Sequence, residues 1–196
     1  MIDIAVQNDV NLQVAAAPIL ARLGVRSIVL TGMMGVGKSS IGRRLAARLG
    51  VPFIDADTEI EKDTGKTISD LFATIGEAAF RDGERRIMAR LLAGPMVVIA
   101  SGGGAFADPE TRKVIAGKGL TVWLRADLDT LVERTARSNR RPLLEGVDRR
   151  AKLAELMERR YPAYAEADLI VESLSGPVDA TVEAVLAALR AHAESA

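Results

Sequence analysis

Residues Gly32-Met33-Met34-Gly35-Val36-Gly37-Lys38-Ser39 match G-x-x-x-x-G-K-[ST], a loop that cradles the phosphates of nucleoside triphosphates. The pattern constrains the fold because it needs a strand before it and a helix after it. Both flanks comply. Val25–Thr31 (VRSIVLT) is a short β-branched run. Ser40–Gly50 (SIGRRLAARLG) places Ile41, Leu45, Ala46 and Leu49 on one helical face and stops at a glycine. In such a loop successive backbone N–H groups face a concavity, and the helix N-terminus adds partial positive charge. Lys38 is expected to reach the β- and γ-phosphates, and the Ser39 hydroxyl to ligate Mg²⁺.

The rest of the chain alternates strand and helix, which predicts an α/β fold with a mainly parallel sheet covered on both faces. Val51–Ile54 reads as a strand ending at Asp55-Ala56-Asp57. Thr58–Thr64 reads as a helix stopping at Gly65, Ser69–Ile75 as one stopping at Gly76, and Glu77–Leu92 as the next. Met96–Ala100 is a continuous apolar run, hence a buried strand, closed by Ser101-Gly102-Gly103-Gly104. A helix near Asp108–Ala116, a strand at Leu120–Leu124 and a helix at Leu128–Arg137 follow. Ser138–Arg150 (SNRRPLLEGVDRR) lacks periodicity and reads as a mobile loop. Lys152–Tyr161 is a predicted helix, Leu169–Val171 a last strand and Val178–His192 an amphipathic closing helix.

At 196 residues the chain fits one domain, residues 25–196, preceded by an extension over 1–24 with a short helix around Pro18–Leu23. Lys+Arg and Asp+Glu are equal at 26 each, so no net field recruits nucleic acid or an anionic membrane. No cysteine is present, which excludes disulfides, thiolate catalysis and cysteine-bound metal. The single histidine, His192, lies near the C-terminus and does not support His-based chemistry. The first residues carry acids and amides in place of a basic leader, and no run is long enough to span a bilayer, so the cytosol is the expected compartment.

In open parallel sheets, ligands sit beyond the carboxyl ends of the strands. Three such ends carry polar chemistry here: the phosphate loop, Asp55 with Asp57, and Gly102–Gly104. One of the two acids can hold the water shell of Mg²⁺ while the other accepts a hydroxyl proton. Either can instead cap the helix that follows. Three consecutive glycines suggest a backbone closely approached by a ligand, with a plain flexible turn as the alternative. Arg81 and Glu84, spaced i, i+3, make a minor surface ion pair or else hold a guanidinium ready for a substrate carboxylate. Arg160 begins the run Arg160-Tyr161-Pro162-Ala163-Tyr164 and is either a solvated helix end or a second anion contact. Arg141, in the 138–150 loop, can bring charge to the phosphates on closure, and Arg134 can stack on adenine.

Taken in order, GMMGVGKSS, D-A-D at 55–57, F-R-D-G-E at 80–84, S-G-G-G at 101–104, R-R-P-L-L at 140–144 and R-Y-P-A-Y at 160–164 resemble the shikimate kinases, from about Val25 to the C-terminus. The resemblance implies ATP-dependent phosphorylation of the 3-hydroxyl of shikimate, giving 3-phosphoshikimate in aromatic amino-acid biosynthesis. It implies a three-layer fold like that of nucleoside-monophosphate kinases, with a five-stranded parallel sheet in order 2-3-1-4-5, in a protein that is usually a monomer. It assigns Gly35, Val36, Gly37, Lys38, Ser39 and Ser40 to the nucleotide cradle, Ser39 to Mg²⁺ directly and Asp55 to Mg²⁺ through water. Asp57, Arg81, Gly102, Gly103, Gly104 and Arg160 match shikimate-binding positions, with both arginines facing the carboxylate. Asp57 also matches the proton acceptor, Arg141 the lid arginine over 138–150 and Arg134 the adenine neighbour; residues 56–92 form the shikimate-binding region. Lys38, Asp57 and Arg141 are thus the expected catalytic set.

The chain departs from the family in its longer N-terminal extension, in Tyr161 and Ala163 around Pro162, and in having no Arg or Lys between Arg160 and Arg190. Two other readings stay open at this level. Another small-molecule kinase, of gluconate for instance, shares the phosphate loop and lid. A non-catalytic nucleotide binder is the other, although Lys38, Ser39 and Asp57 are all retained.

Overall fold

The structure is a computed structural model that describes residues 20–22, 24, 26–136, 144, 146–173 and 176–195. Five strands form one sheet: β1 (Ser27–Thr31), β2 (Phe53–Asp55), β3 (Val98–Ala100), β4 (Gly119–Arg125) and β5 (Leu169–Glu172). Their order is β2-β3-β1-β4-β5 and every pairing is parallel. The predicted order therefore holds. β1 lies at the centre and is buried along its whole length, which explains its unbroken run of apolar and small residues.

The helices are α1 (Lys38–Leu49), α2 (Ala56–Thr64), α3 (Ile68–Leu92), α4 (Pro109–Ile115), α5 (Leu128–Ala136), α6 (Arg149–Tyr164) and α7 (Val178–Ser195), with a 3₁₀ turn at Ala105–Ala107. They lie on both faces of the sheet. A Cβ at Gly42 of α1 would meet Leu30 at 3.2 Å, and one at Gly119 would meet Ile115 of α4 at 2.9 Å and Val29 at 3.1 Å. Leu30 and Val29 are successive strand residues and point to opposite faces, so α1 and α4 cover opposite sides. α7 packs on α1. α6 shares the α4 side, since Trp123, in step with Gly119 on β4, packs against Tyr161 and Tyr164. Ile60, Leu71 and Phe80 form a small second core joining α2 and α3, apart from the main one. Among the described residues no helix is long and apolar enough to cross a membrane.

Several predicted boundaries shift, each for a local reason. α1 begins at Lys38, two residues before Ser40, directly after the left-handed Gly37 (φ 99°). β2 is Phe53–Asp55, and α2 begins at Ala56 instead of Thr58, so Asp57 lies inside the first turn and Asp55 is the cap. The two helices expected either side of Gly76 form one run broken by non-helical backbone at that glycine (φ 74°, ψ 170°). The loop expected over Ser138–Arg150 ends earlier, because the Asp148 carboxylate accepts from the backbone of Arg150 (2.9 Å) and Ala151 (3.1 Å) and starts α6 at Arg149. At its other end α6 passes Pro162 and stops at Tyr164, three residues beyond the expected limit. The proline deprives the helix of one donor, yet Ala165 N–H still reaches Tyr161 C=O at 2.9 Å and closes the last turn. Residues 1–19 and 23 of the predicted extension, Arg137 at the predicted end of α5, and 138–143 and 145 of the predicted lid, Arg141 among them, lie outside the described residues. Leu20–Arg22 are helical, as expected for the end of the extension.

Candidate active site

The carboxyl ends of β1, β2 and β3 bring the phosphate loop, the two aspartates and the triple glycine to one edge. In the loop, Gly35 has φ 86°, and a Cβ there would lie 2.7 Å from Thr135 Cγ2, so the backbone conformation and the neighbouring α5 both demand glycine. Lys38 Nζ donates to the carbonyls of Gly32 (2.8 Å) and Met33 (3.2 Å), arching back over the loop. Ser40, in the first turn of α1, is exposed.

The Val36 carbonyl accepts from Arg134 Nη1 (3.3 Å) and from Ser173 Oγ (2.9 Å), and the same Arg134 nitrogen donates to Ser173 Oγ at 2.9 Å. Arg134, expected beside adenine, thus ties the phosphate loop to the segment after β5. Sequence reasoning missed Ser173 altogether. Its position immediately after a strand, at the ligand-bearing edge, is the signal that marks it.

Ser39 Oγ donates to Asp55 Oδ2 at 2.6 Å, and the other Asp55 oxygen accepts weakly from Thr58 N–H at 3.5 Å. Capping and metal support therefore fall to the same side chain. Hydroxyl and carboxylate oxygens are the hard donors that Mg²⁺ prefers. Among the described residues no group of three or more His, Cys, Asp or Glu forms a metal cage. That pairing suits an ion which completes its shell with phosphate oxygens and water, so Ser39 and Asp55 fit the group. Ser101, where many enzymes with this loop carry an acid, is buried and donates to Leu30 C=O at 3.0 Å.

The three glycines prove to be a floor for charged side chains. A Cβ at Gly102 would sit 2.7 Å from Asp57 Oδ1 and 2.8 Å from Glu84 Oε1. At Gly103 it would lie 3.3 Å from Arg160 Nη1, and at Gly104 it would run into the Arg81 guanidinium, 2.9 Å from Cζ. Four functional groups from three helices rest on three residues of backbone. This accounts for the run without appeal to a flexible turn. Gly102→Ala is expected to preserve the fold, because the atoms it meets end side chains. It should displace the Asp57 carboxylate at a cost of about 1–3 kcal/mol, read by thermal denaturation and a crystal structure of the variant.

Arg81 and Glu84 do not form the surface pair that their spacing allows. Glu84 is 2 % exposed and Arg81 17 %, with Nη1 to Oε2 at 2.7 Å and a second contact to Glu77 at 3.2 Å. Phe72 and Phe80 flank the guanidinium at 5.7 and 5.4 Å. Burial holds the Glu84 carboxyl above its ordinary range, with the Arg81 charge pulling the other way. The half-buried Asp57 is also raised, first by burial and then by the Asp55 charge, against the opposing pull of Lys38 and Arg81. Arg160 is not a solvated helix end either: its Nη1 donates to Gly103 C=O at 2.9 Å. The edge thus sets Lys38 and the phosphate loop beside Gly102–Gly104, where two arginines, Arg81 and Arg160, and two carboxyls, Asp57 and Glu84, converge.

A family model described as shikimate kinase matches residues 34–190. The shikimate kinase of Paramagnetospirillum magneticum is 58% identical over 174 residues, covering 88% of this chain and 89% of that protein. One from Caulobacter vibrioides (strain NA1000 / CB15N) is 56% identical over 175 residues, 89% of this chain and 88% of its own. Among solved structures, shikimate kinase from Acinetobacter baumannii in complex with shikimate superposes with a TM-score of 0.82 at 34% identity, over 89% of this chain and 98% of that one. The phosphate loop, the glycine floor and these matches together show that the chain belongs to the shikimate kinase family.

Proposed function

We propose that this protein transfers the γ-phosphoryl group of ATP to the 3-hydroxyl of shikimate, giving 3-phosphoshikimate and ADP for aromatic amino-acid biosynthesis. ATP lies along residues 35–40, with Lys38 toward the β- and γ-phosphates and Arg134 on the adenine side. Ser39 would hold Mg²⁺ directly and Asp55 through water; when bound, the ion neutralises charge on the phosphate oxygens. Shikimate rests on Gly102–Gly104, its carboxylate facing Arg81 and Arg160 and its 3-hydroxyl facing Asp57. Asp57 takes the hydroxyl proton as the O3–phosphorus bond forms, while the bond from the γ-phosphorus to the β–γ bridging oxygen breaks and that oxygen leaves with ADP. Arg141, from the lid, supplies positive charge as the leaving oxygen becomes anionic, and closure excludes the competing nucleophile, water. We place the enzyme in the cytosol as a monomer, with no nucleic-acid or membrane partner.

One observation carries the reading. Arg81, Arg160 and the Asp57 carboxyl, which burial holds above its ordinary range, converge on Gly102–Gly104 at the same sheet edge as the phosphate loop, which supports a small carboxylate acceptor there. A coupled ADP-release assay with shikimate and gluconate in parallel tests it. Turnover is expected with shikimate alone. A flat trace with shikimate from protein that still binds ATP would favour the non-catalytic alternative, and turnover with gluconate would favour the rival kinase.

A further inference from the structure

We infer that Tyr164 is a positioning residue for substrate binding: its hydroxyl fixes the Gly103 carbonyl on which Arg160 is aimed. The inference rests on Arg160 facing the shikimate carboxylate.

Arg160 and Tyr164 are four residues apart on α6, hence on one face, and both donate to the same acceptor, Gly103 C=O. A carbonyl oxygen has two lone pairs and can satisfy both donors at once. The arrangement matters because Gly103 has no side chain of its own to hold it. With its side chain absent, the peptide at the centre of the glycine floor is set by what grips its oxygen. Arg160 engages the Tyr164 side chain as well as the carbonyl, so the two donors and their shared acceptor form one linked group.

Tyr164 is well suited to grip. It is 0 % exposed, and its ring packs against Trp123 (5.8 Å between centroids) and Tyr161 (6.1 Å), which touch each other at 4.8 Å. These are the chain's one tryptophan and both of its tyrosines. Burial pushes the phenol up to about 12, partly offset by the Arg160 charge, so the group stays protonated and remains a donor throughout the working range. Tyr161 supplies the internal comparison. Its hydroxyl belongs to the same aromatic cluster and also donates to a backbone carbonyl, that of Ala126 at 2.7 Å, but away from the glycine floor.

The test compares Tyr164→Phe with Tyr161→Phe, measuring kcat, KM for shikimate, KM for ATP and thermal stability. Tyr164→Phe is expected to raise KM for shikimate about 3- to 10-fold, the loss of one net hydrogen bond, with KM for ATP within twofold of the parent. Tyr161→Phe should lose comparable thermal stability and leave KM for shikimate within twofold. In an Arg160→Ala background, Tyr164→Phe should add little further change, because the group it aims is gone. An unchanged KM for shikimate in Tyr164→Phe, an equal rise in Tyr161→Phe, full additivity with Arg160→Ala, or a Tyr164→Phe protein that does not fold would each overturn the inference in favour of a packing role. A parent protein inactive on shikimate fails at an earlier step, overturning the reading of the site and this inference with it.

Discussion

Asp57→Asn should lose turnover by about 10²- to 10⁴-fold, the contribution of a positioned general base, and yet be more stable than the parent at neutral pH. Both effects come from one environment. The Asp57 carboxyl is raised by burial first and by Asp55 second, and the attraction of Lys38 and Arg81 does not cancel them. A raised pKa improves a proton acceptor, because its conjugate acid is then less eager to return the proton. The sign for stability follows from proton binding. Between the ordinary value of 3.8 and the raised folded value, the folded state holds more protons than the unfolded state, so stability falls as pH rises through that window. At neutral pH the full penalty of a buried, ionised Asp57 is present, and asparagine removes it without altering the shape that rests on Gly102. The stability gap between variant and parent should therefore be widest at pH 7 and close below the ordinary carboxylate range. Coupled-assay rates together with denaturation at the two pH values decide the matter. Near-parental turnover would remove Asp57 from proton transfer, and a variant less stable at pH 7 would refute the strained carboxylate.

How far the site could be read in advance depends on how local each feature is. The phosphate loop is eight contiguous residues with their own flanks, and it sits where the pattern demands. The apolar runs at 27–31 and 96–100 mark central strands because both of their faces are covered, whereas the order of the five strands came only from the family resemblance. Helix starts were missed by two or three residues where a side chain or a glycine, and not periodicity, sets the boundary: Asp55, Asp148 and Gly37 are the cases. The triple glycine was recognised as unusual, but its reason was not legible. It depends on Asp57 from α2, Arg81 and Glu84 from α3 and Arg160 from α6 converging on one turn, and no local pattern records that convergence. Likewise an i, i+3 spacing says nothing about depth, so it leaves a surface pair and a held guanidinium equally open for Arg81 and Glu84 until α3 is packed against the turn after β3. The predicted helix stops at Tyr161, so the burial of Tyr164 follows only from the continuation of α6 past Pro162.

Arg81→Ala is expected to damage the protein twice over, and the two injuries can be separated. Loss of the guanidinium removes one of the two groups proposed to face the shikimate carboxylate, a charge-assisted contact whose truncation costs about 2 kcal/mol or more, some 30-fold in affinity. It also strands Glu84, which is 2 % exposed and already raised by burial with Arg81 as its main compensation. Breaking a buried pair from one side is worth about 3–5 kcal/mol because an uncompensated charge remains. The Glu84 carboxyl escapes part of that penalty by taking up a proton, so the instability should be greatest at neutral pH and shrink in acid. Adding Glu84→Gln to Arg81→Ala removes the stranded charge. The double variant should recover much of the lost stability while its shikimate affinity stays low, since nothing has replaced the clamp. Calorimetric titration with shikimate and thermal denaturation of both variants give the two readouts independently. Parental affinity in the double variant would show that Arg81 does not hold the carboxylate. An Arg81→Ala protein as stable as the parent would show that Glu84 needs no partner, and the role of Arg81 would then be confined to the ligand.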